Sequence, residues 1–126
     1  MYYYEPVNLL TWDMFKSVSG KGHIESFYAV KSMQPGDIVL LHVGSQVKEY
    51  ESGVYAVGKV IYGPYTNEIQ PDGMLDNRLR VNLEITRIDF SAPIIPHEVC
   101  KEFIPQFRTV QQINPTYYPQ IEEFLK

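Results

Sequence analysis

The sequence predicts a mostly-β domain of the α+β class, its strands curled into a small barrel with short helices at the periphery, over residues 1–126. Three observations lead there. The apolar run Ile38 to Val43 follows directly on the turn-forming tetrapeptide Gln34-Pro35-Gly36-Asp37. A second apolar run, Gly53-Val54-Tyr55-Ala56-Val57-Gly58-Lys59-Val60, comes after a polar stretch. Further on, Leu79, Val81, Leu83 and Ile85 alternate with Arg80, Asn82, Glu84 and Thr86, the period-two pattern of a half-buried strand. Closure into a barrel is expected because an open antiparallel sheet leaves unprotected edges. A chain of 126 residues with 44% hydrophobic and 21% charged content has room for one core, hence one domain.

Taken in order, Leu10 to Val18 places Trp12, Phe15 and Val18 at helical spacing, with Thr11 as its cap. Ser17 to Gly22 breaks that helix as a glycine-containing loop. Ser26 is expected to cap a second short helix through Phe27, Tyr28, Ala29 and Val30, ending near Met33. In the turn that follows, Pro35 fixes φ and Gly36 supplies the positive φ of a type II turn. The continuous apolar run from Ile38, ending at His42 and Val43, reads as a strand buried on both faces. Gly44 to Ser52 is a loop, and Val54 to Ile61 a second strand in which Gly58 marks a bulge or a close backbone approach. Tyr62-Gly63-Pro64-Tyr65 ends that strand, and a long surface loop with Pro71-Asp72-Gly73 continues to Asn77. Pro96 to Phe103 reads as a helix, Phe107 to Gln112 as a last short strand. The C-terminus is a helix that starts either at Asn114-Pro115 or at Pro119 and buries Ile121, Phe124 and Leu125.

Composition removes several classes of function. A formal net charge of −4 argues against coating nucleic acid by phosphate neutralisation, which needs an excess of Lys and Arg. Between Arg78 and Arg87 three arginines face only Glu84, so a small basic edge remains. The single Cys100 precludes an intramolecular disulfide. No apolar run is long enough to span a membrane, and Met1-Tyr2-Tyr3-Tyr4-Glu5 lacks the basic start and apolar stretch of a signal peptide, so a cytoplasmic location without membrane contact is expected. His23, His42 and His97 are scattered, which gives no metal site; His97 and Cys100 are three apart on a helix with no third group to orient them as a catalytic pair. Phosphate-binding glycine motifs and the nucleophile-elbow motif are absent, and no cofactor is expected.

What remains is aromatic recognition. Ten Tyr, six Phe and one Trp exceed the needs of so small a core. Trp12, Phe27, Tyr28, Tyr55 and Tyr65 flank the strand pair, and His42 ends its first strand. Each ring serves either the core or a ligand. Rings at a pocket can sandwich a flat ligand such as a base, with Asn8, Ser26 or backbone amides supplying selectivity.

The ordered set Met33-Gln34-Pro35-Gly36-Asp37, the apolar strand ending at His42, Gly53-Val54-Tyr55-Ala56-Val57-Gly58-Lys59-Val60 and Pro64-Tyr65 resembles the EVE domain. Arg80-Val81-Asn82-Leu83, Phe90-Ser91-Ala92-Pro93-Ile94 and Phe107-Arg108-Thr109-Val110 through Ile121 extend the likeness, which spans about Ser26 to Leu125. EVE domains are PUA-like and related to the YTH and ASCH domains, so the resemblance implies a curved β-barrel and noncatalytic recognition of a modified base in DNA or RNA, flipped into an aromatic pocket. By position it implies Trp12, Ser26 and Phe27 around the pocket, His42 at the end of its first core strand and Arg108 before the last strand; the aromatics Tyr28 and Tyr65 are further ligand candidates, and Arg78 and Arg80 of the basic edge join Arg108 toward the nucleic-acid backbone. Protein partners in a defence or modification system would fit the same family. The start of the chain departs from the family's aromatic and apolar first strand, since it contains Pro6, and is not assigned to a strand. Two alternatives are an ASCH-like enzyme acting on RNA or modified nucleosides through Lys21, Lys31 or Lys59, and a small-molecule-binding domain.

Overall fold

The computed structural model of the chain describes residues 1–66, 68, 69, 73 and 75–126, with residues 68, 69, 75 and 76 described by their backbone alone. Strands run in chain order over Tyr2–Val7 (β1), Ile24–Tyr28 (β2), Ile38–Val43 (β3), Gly53–Tyr65 (β4), Glu68–Ile69 (β5), Leu75–Asp76 (β6), Arg80–Ile88 (β7), Ile95–Pro96 (β8) and Gln111–Gln112 (β9). Helices are Met14–Ser17 (α1), His97–Cys100 (α2) and Tyr118–Leu125 (α3), the last preceded by a 3-10 turn at Pro115–Tyr117. The fold is small, α+β and mostly β.

Seven strands form one sheet in the order β2-β7-β4-β3-β1-β9, with β8 paired to β4; β5 and β6 pair separately. β1 and β3 are parallel, and the other pairings are antiparallel. As the unbroken apolar run predicts, β3 is buried on both faces. Val39, Leu41 and Val43 join a core with Tyr3, Phe27, Tyr55 and Leu83. Leu40 points the other way, into a core with Tyr4, Ile95, Phe103 and Ile121 that the C-terminal third of the chain covers. The alternation of Arg80–Ile88 also holds: Val81, Leu83 and Ile85 are fully buried and their neighbours are not.

The closed barrel is corrected to a curled, open sheet. Phe27 of β2 and Val7 of β1 share one core although β7, β4 and β3 separate their strands in the sheet. The sheet therefore curls until β1 and β2 face each other, yet among the described residues these two strands do not pair. Backbone direction explains the open seam. The carbonyls of Met1 and Val7 accept from Ile38 and Gly44 on the β3 side, while that of Tyr2 accepts from Ile113 on the opposite side. Strand alternation then turns the backbone of Pro6 away from β3, and Pro6 has no N–H to offer a partner there. β9 reaches only Tyr3 and Tyr4. The edge beyond Tyr4 stays open.

Pro6 therefore does not prevent β1 from forming, and the start of the chain is a strand inside the sheet. The expected second helix is corrected too. Ile24–Tyr28 is β2, in register with β7 from Ile24 opposite Glu84 to Tyr28 opposite Arg80. So short a segment makes few helical hydrogen bonds, whereas the edge of β7 offers a complete ladder. The first helix shrinks to one turn capped by Asp13, whose carboxylate accepts from the amides of Phe15 and Lys16; Thr11 instead donates its hydroxyl to the Asn8 carbonyl.

The turn before β3 forms as read, with Gly36 at φ 98° and the Asp37 amide bonded to the Gln34 carbonyl at 3.0 Å. At Gly58 the register shifts, which is the expected bulge; a Cβ there would lie 3.1 Å from Leu83, so the close neighbour is a side chain rather than backbone. β4 runs on to Tyr65 through two further register shifts rather than ending at Tyr62. Pro71 and Asp72 of the expected loop lie outside the described residues. Both expected C-terminal starts are used: Asn114 caps the 3-10 turn through Thr116, and Pro119 stands in the first turn of α3.

Candidate functional site

The seam between β1 and β2 is a cleft of about 430 Å³, within the range of small-ligand pockets. One wall is the end of β1 and the turn after it, from Glu5 to Asn8 with Thr11 and Trp12. The other is Glu25 to Tyr28 of β2, with Arg80 reaching across from β7. The Trp12 and Phe27 rings meet edge to face at 5.4 Å. Phe27 is only 7% exposed and backs the wall from the core, whereas Trp12 is partly buried and lines the cleft.

Glu5 is the unusual member of this site. Strand alternation sets it on the same face as Tyr3 and Val7, both core residues, and it is 3% exposed. Its Oε1 has no hydrogen-bond partner among the described residues. Burial holds its carboxyl well above the usual carboxylate range, opposed only in part by the charge of Arg80. The other polar side chains of the cleft are engaged. Asn8 Oδ1 accepts from the Leu10 amide, and Thr11 is bonded to the Asn8 carbonyl. Glu25 Oε1 lies 2.9 Å from His23 Nε2, and Ser26 Oγ accepts from Arg80 Nη1 at 3.3 Å.

Behind Ser26, the Tyr65 hydroxyl donates to Asn82 Oδ1 at 2.6 Å and lies 3.1 Å from Ser26 Oγ. Tyr65 thus holds Ser26 and the β2–β7 pair in place without lining the cleft. At the rim, the guanidiniums of Arg78 and Arg80 sit 4.7 and 4.5 Å from the centre of the Tyr28 ring, a cation–π cluster that gathers two positive charges beside the opening.

His42 lies elsewhere. A second cleft, of about 640 Å³, adjoins the seam and shares Pro6, Val7, Asn8 and Thr11 with it; it is lined further by Tyr4, His42, His97 and Arg108. Tyr4 donates its hydroxyl to the Phe107 carbonyl at 2.8 Å, so toward His42 Nδ1, 3.4 Å away, its oxygen acts as acceptor. The His42 proton then sits on Nδ1, and the bare Nε2 accepts from His97 Nδ1 at 3.2 Å. His42 is 3% exposed, and burial, with the neighbouring His97, lowers its pKa to about 4.

Of the residues singled out by sequence, Trp12, Ser26, Phe27, Tyr28 and Arg80 are brought together at the seam, with Arg78 at its rim and Tyr65 behind it. His42 and Arg108 belong to the neighbouring cleft. Tyr55 is a core residue, 1% exposed, with its hydroxyl donated to the Glu51 carbonyl. Lys21, Lys31 and Lys59 are exposed and line neither cleft. Cys100 is fully buried, its thiol pushed up to about 12 by burial, so it does not pair with His97 as a nucleophile. Among the described residues, no cluster of metal-ligating side chains occurs and no helix is long and apolar enough to cross a membrane. Sequence reading missed Glu5. Its signal was present in Tyr3-Glu5-Val7, an acid in step with two apolar residues, but it is visible only once the segment is known to be a strand.

No protein-family model and no curated protein sequence matches the chain. Among solved structures, the chain is similar to the NMR structure of Rpa0253 from Rhodopseudomonas palustris, a structural genomics target. The TM-score is 0.62 at 13% identity, over 98% of this chain and 91% of that one. At that identity the likeness shows the fold alone.

Proposed function

We propose that the chain is a noncatalytic binding module that takes a single flat heteroaromatic group, a modified base of DNA or RNA, edge-on into the seam between β1 and β2. The observation that carries this reading is the cleft itself: a partly buried tryptophan and a buried polar atom with no partner among the described residues both line the gap where the curled sheet stays open. Flat apolar surface for stacking, together with a polar atom awaiting a partner, is the pairing that base recognition requires. The Arg78–Tyr28–Arg80 cluster supports it, since a strand delivering a base into the seam brings phosphates past the rim. The resemblance to EVE domains agrees with this use of the cleft, and membership of that PUA-like group is part of the proposal.

Oligonucleotides bearing one modified base are expected to bind more tightly than unmodified ones. Trp12→Ala should weaken that binding roughly 5- to 150-fold, the worth of about 1 to 3 kcal/mol of stacking. The salt dependence should be modest, because two or three arginines meet phosphate. Equal binding of all oligonucleotides, with no change in Trp12→Ala, would overturn the reading; fluorescence anisotropy over a panel of modified oligonucleotides measures it.

A further inference from the structure

We infer that Glu5 reads the hydrogen-bonding edge of the group bound in the seam, and that this edge sets an N–H donor beside a hydrogen-bond acceptor, as on the free Watson–Crick edge of a nucleobase. The inference rests on the binding reading above and names its substrate class.

Among the polar side chains of the cleft, Asn8, Thr11, Glu25, Ser26 and Arg80 already have partners within the protein. Glu5 Oε1 has none among the described residues, although it is shut off from water. A buried oxygen left unsatisfied is costly, and a ligand that supplies its partner recovers that cost on binding. The same penalty makes the atom selective, because a base presenting the wrong group leaves it unpaired.

The form of the carboxyl sets which edge fits. Burial favours the neutral acid. A neutral carboxyl offers one O–H donor beside one C=O acceptor, the complement of an N–H next to a hydrogen-bond acceptor. Each nucleobase carries such a pair on its Watson–Crick edge: an amino group beside a bare ring nitrogen in adenine and cytosine, a ring N–H beside a carbonyl in uracil, thymine and guanine. The charged and titratable groups around Glu5 are Arg80 on β7, Glu25 and Tyr28 on β2, His23 just before β2, and Tyr4 beside it on β1; from β3 its partner in register is Leu41.

The test titrates the full chain with 9-methyladenine and 1-methyluracil and with their edge-blocked counterparts, N6,N6,9-trimethyladenine and 1,3-dimethyluracil, followed by NMR shifts of the Trp12 indole. The probes with a free edge are expected to bind at least tenfold more tightly than the blocked ones. Glu5→Gln, which fixes one N–H donor and one carbonyl acceptor, should keep that preference, and Glu5→Leu should lose at least tenfold in affinity for the preferred probe. Binding to the wild type should weaken as the pH is raised, because the raised Glu5 carboxyl then ionises, and binding to Glu5→Gln should not. Probe binding that is lost in Trp12→Ala but unaltered in Glu5→Leu would overturn the role of Glu5 while leaving the seam as the binding site. Absence of binding by every probe and by modified oligonucleotides alike would overturn both. Because Leu replaces a buried polar group with an apolar one, its fold should persist, and the Gln variant checks the result independently.

Discussion

Acidification from pH 7 to pH 4 is expected to remove about 3 kcal/mol of folding stability through His42 alone. Its pKa in the folded protein is lowered from 6.5 to about 4, chiefly by burial and secondarily by His97. A depressed folded pKa means that the unfolded chain binds the proton more readily. The stabilisation is therefore complete above pH 6.5, is lost progressively as pH falls toward 4, and changes no further below that. The distance from 6.5 to about 4, at roughly 1.4 kcal/mol for each pH unit, sets the size. Glu5 acts in the opposite sense: its folded pKa is raised, so its contribution is greatest below the ordinary carboxylate range and is lost as pH rises. Urea titrations of the wild type and a His42→Phe variant isolate the histidine, since Glu5 is common to both. The stability difference between them should move by about 3 kcal/mol in favour of the variant between pH 7 and pH 4. A difference that stays flat with pH would show that His42 does not stay neutral in the fold.

The second large effect is in the core beneath the seam. Leu83→Ala should cost about 3 kcal/mol, within the range for fully buried leucines. Leu83 lies against Gly58 of the neighbouring strand, and a glycine has no side chain that could relax into the space vacated. Gly58→Ala alone should also destabilise, because its new Cβ would lie 3.1 Å from both Cβ and Cδ1 of Leu83. In the Leu83→Ala background the Cδ1 contact is gone and the same methyl fills part of the hole. The double mutant should then be more stable than the sum of the single changes predicts, by about 1 kcal/mol in a denaturation cycle. Strict additivity would mean that the two positions do not pack against each other.

Both experiments test parts of the structure that the sequence disclosed to different degrees. The apolar run of β3, the alternation of β7 and the turn at Gly36 were legible because each is a local pattern with one structural solution: burial on two faces, burial on one face, and a positive φ. Gly58 was legible for the same reason, as a glycine inside a strand, which marks a bulge. Ile24–Tyr28 was not. Its five residues carry no decisive period, and the edge of β7, more than fifty residues away, made it a strand. The strand at the start of the chain was hidden by Pro6, whose backbone turns toward an open edge only because β1 lies parallel to β3 on its other side.

The candidate site divides in the same way. Trp12, Ser26, Phe27, Tyr28 and the arginines stood out by residue type, since rings and cations are chemically conspicuous in any context. His42 stood out too, yet the fold directs it into the neighbouring cleft toward His97. By itself the sequence determined the β-rich class and the two central strands, because those follow from composition and short-range period. Only the tertiary structure decided that the curled sheet stays open between β1 and β2, and that Glu5 lies buried in that opening with its Oε1 unpartnered among the described residues. Curvature brings together two strands that are not neighbours in the sheet, and no local pattern in a sequence encodes how far a sheet curls.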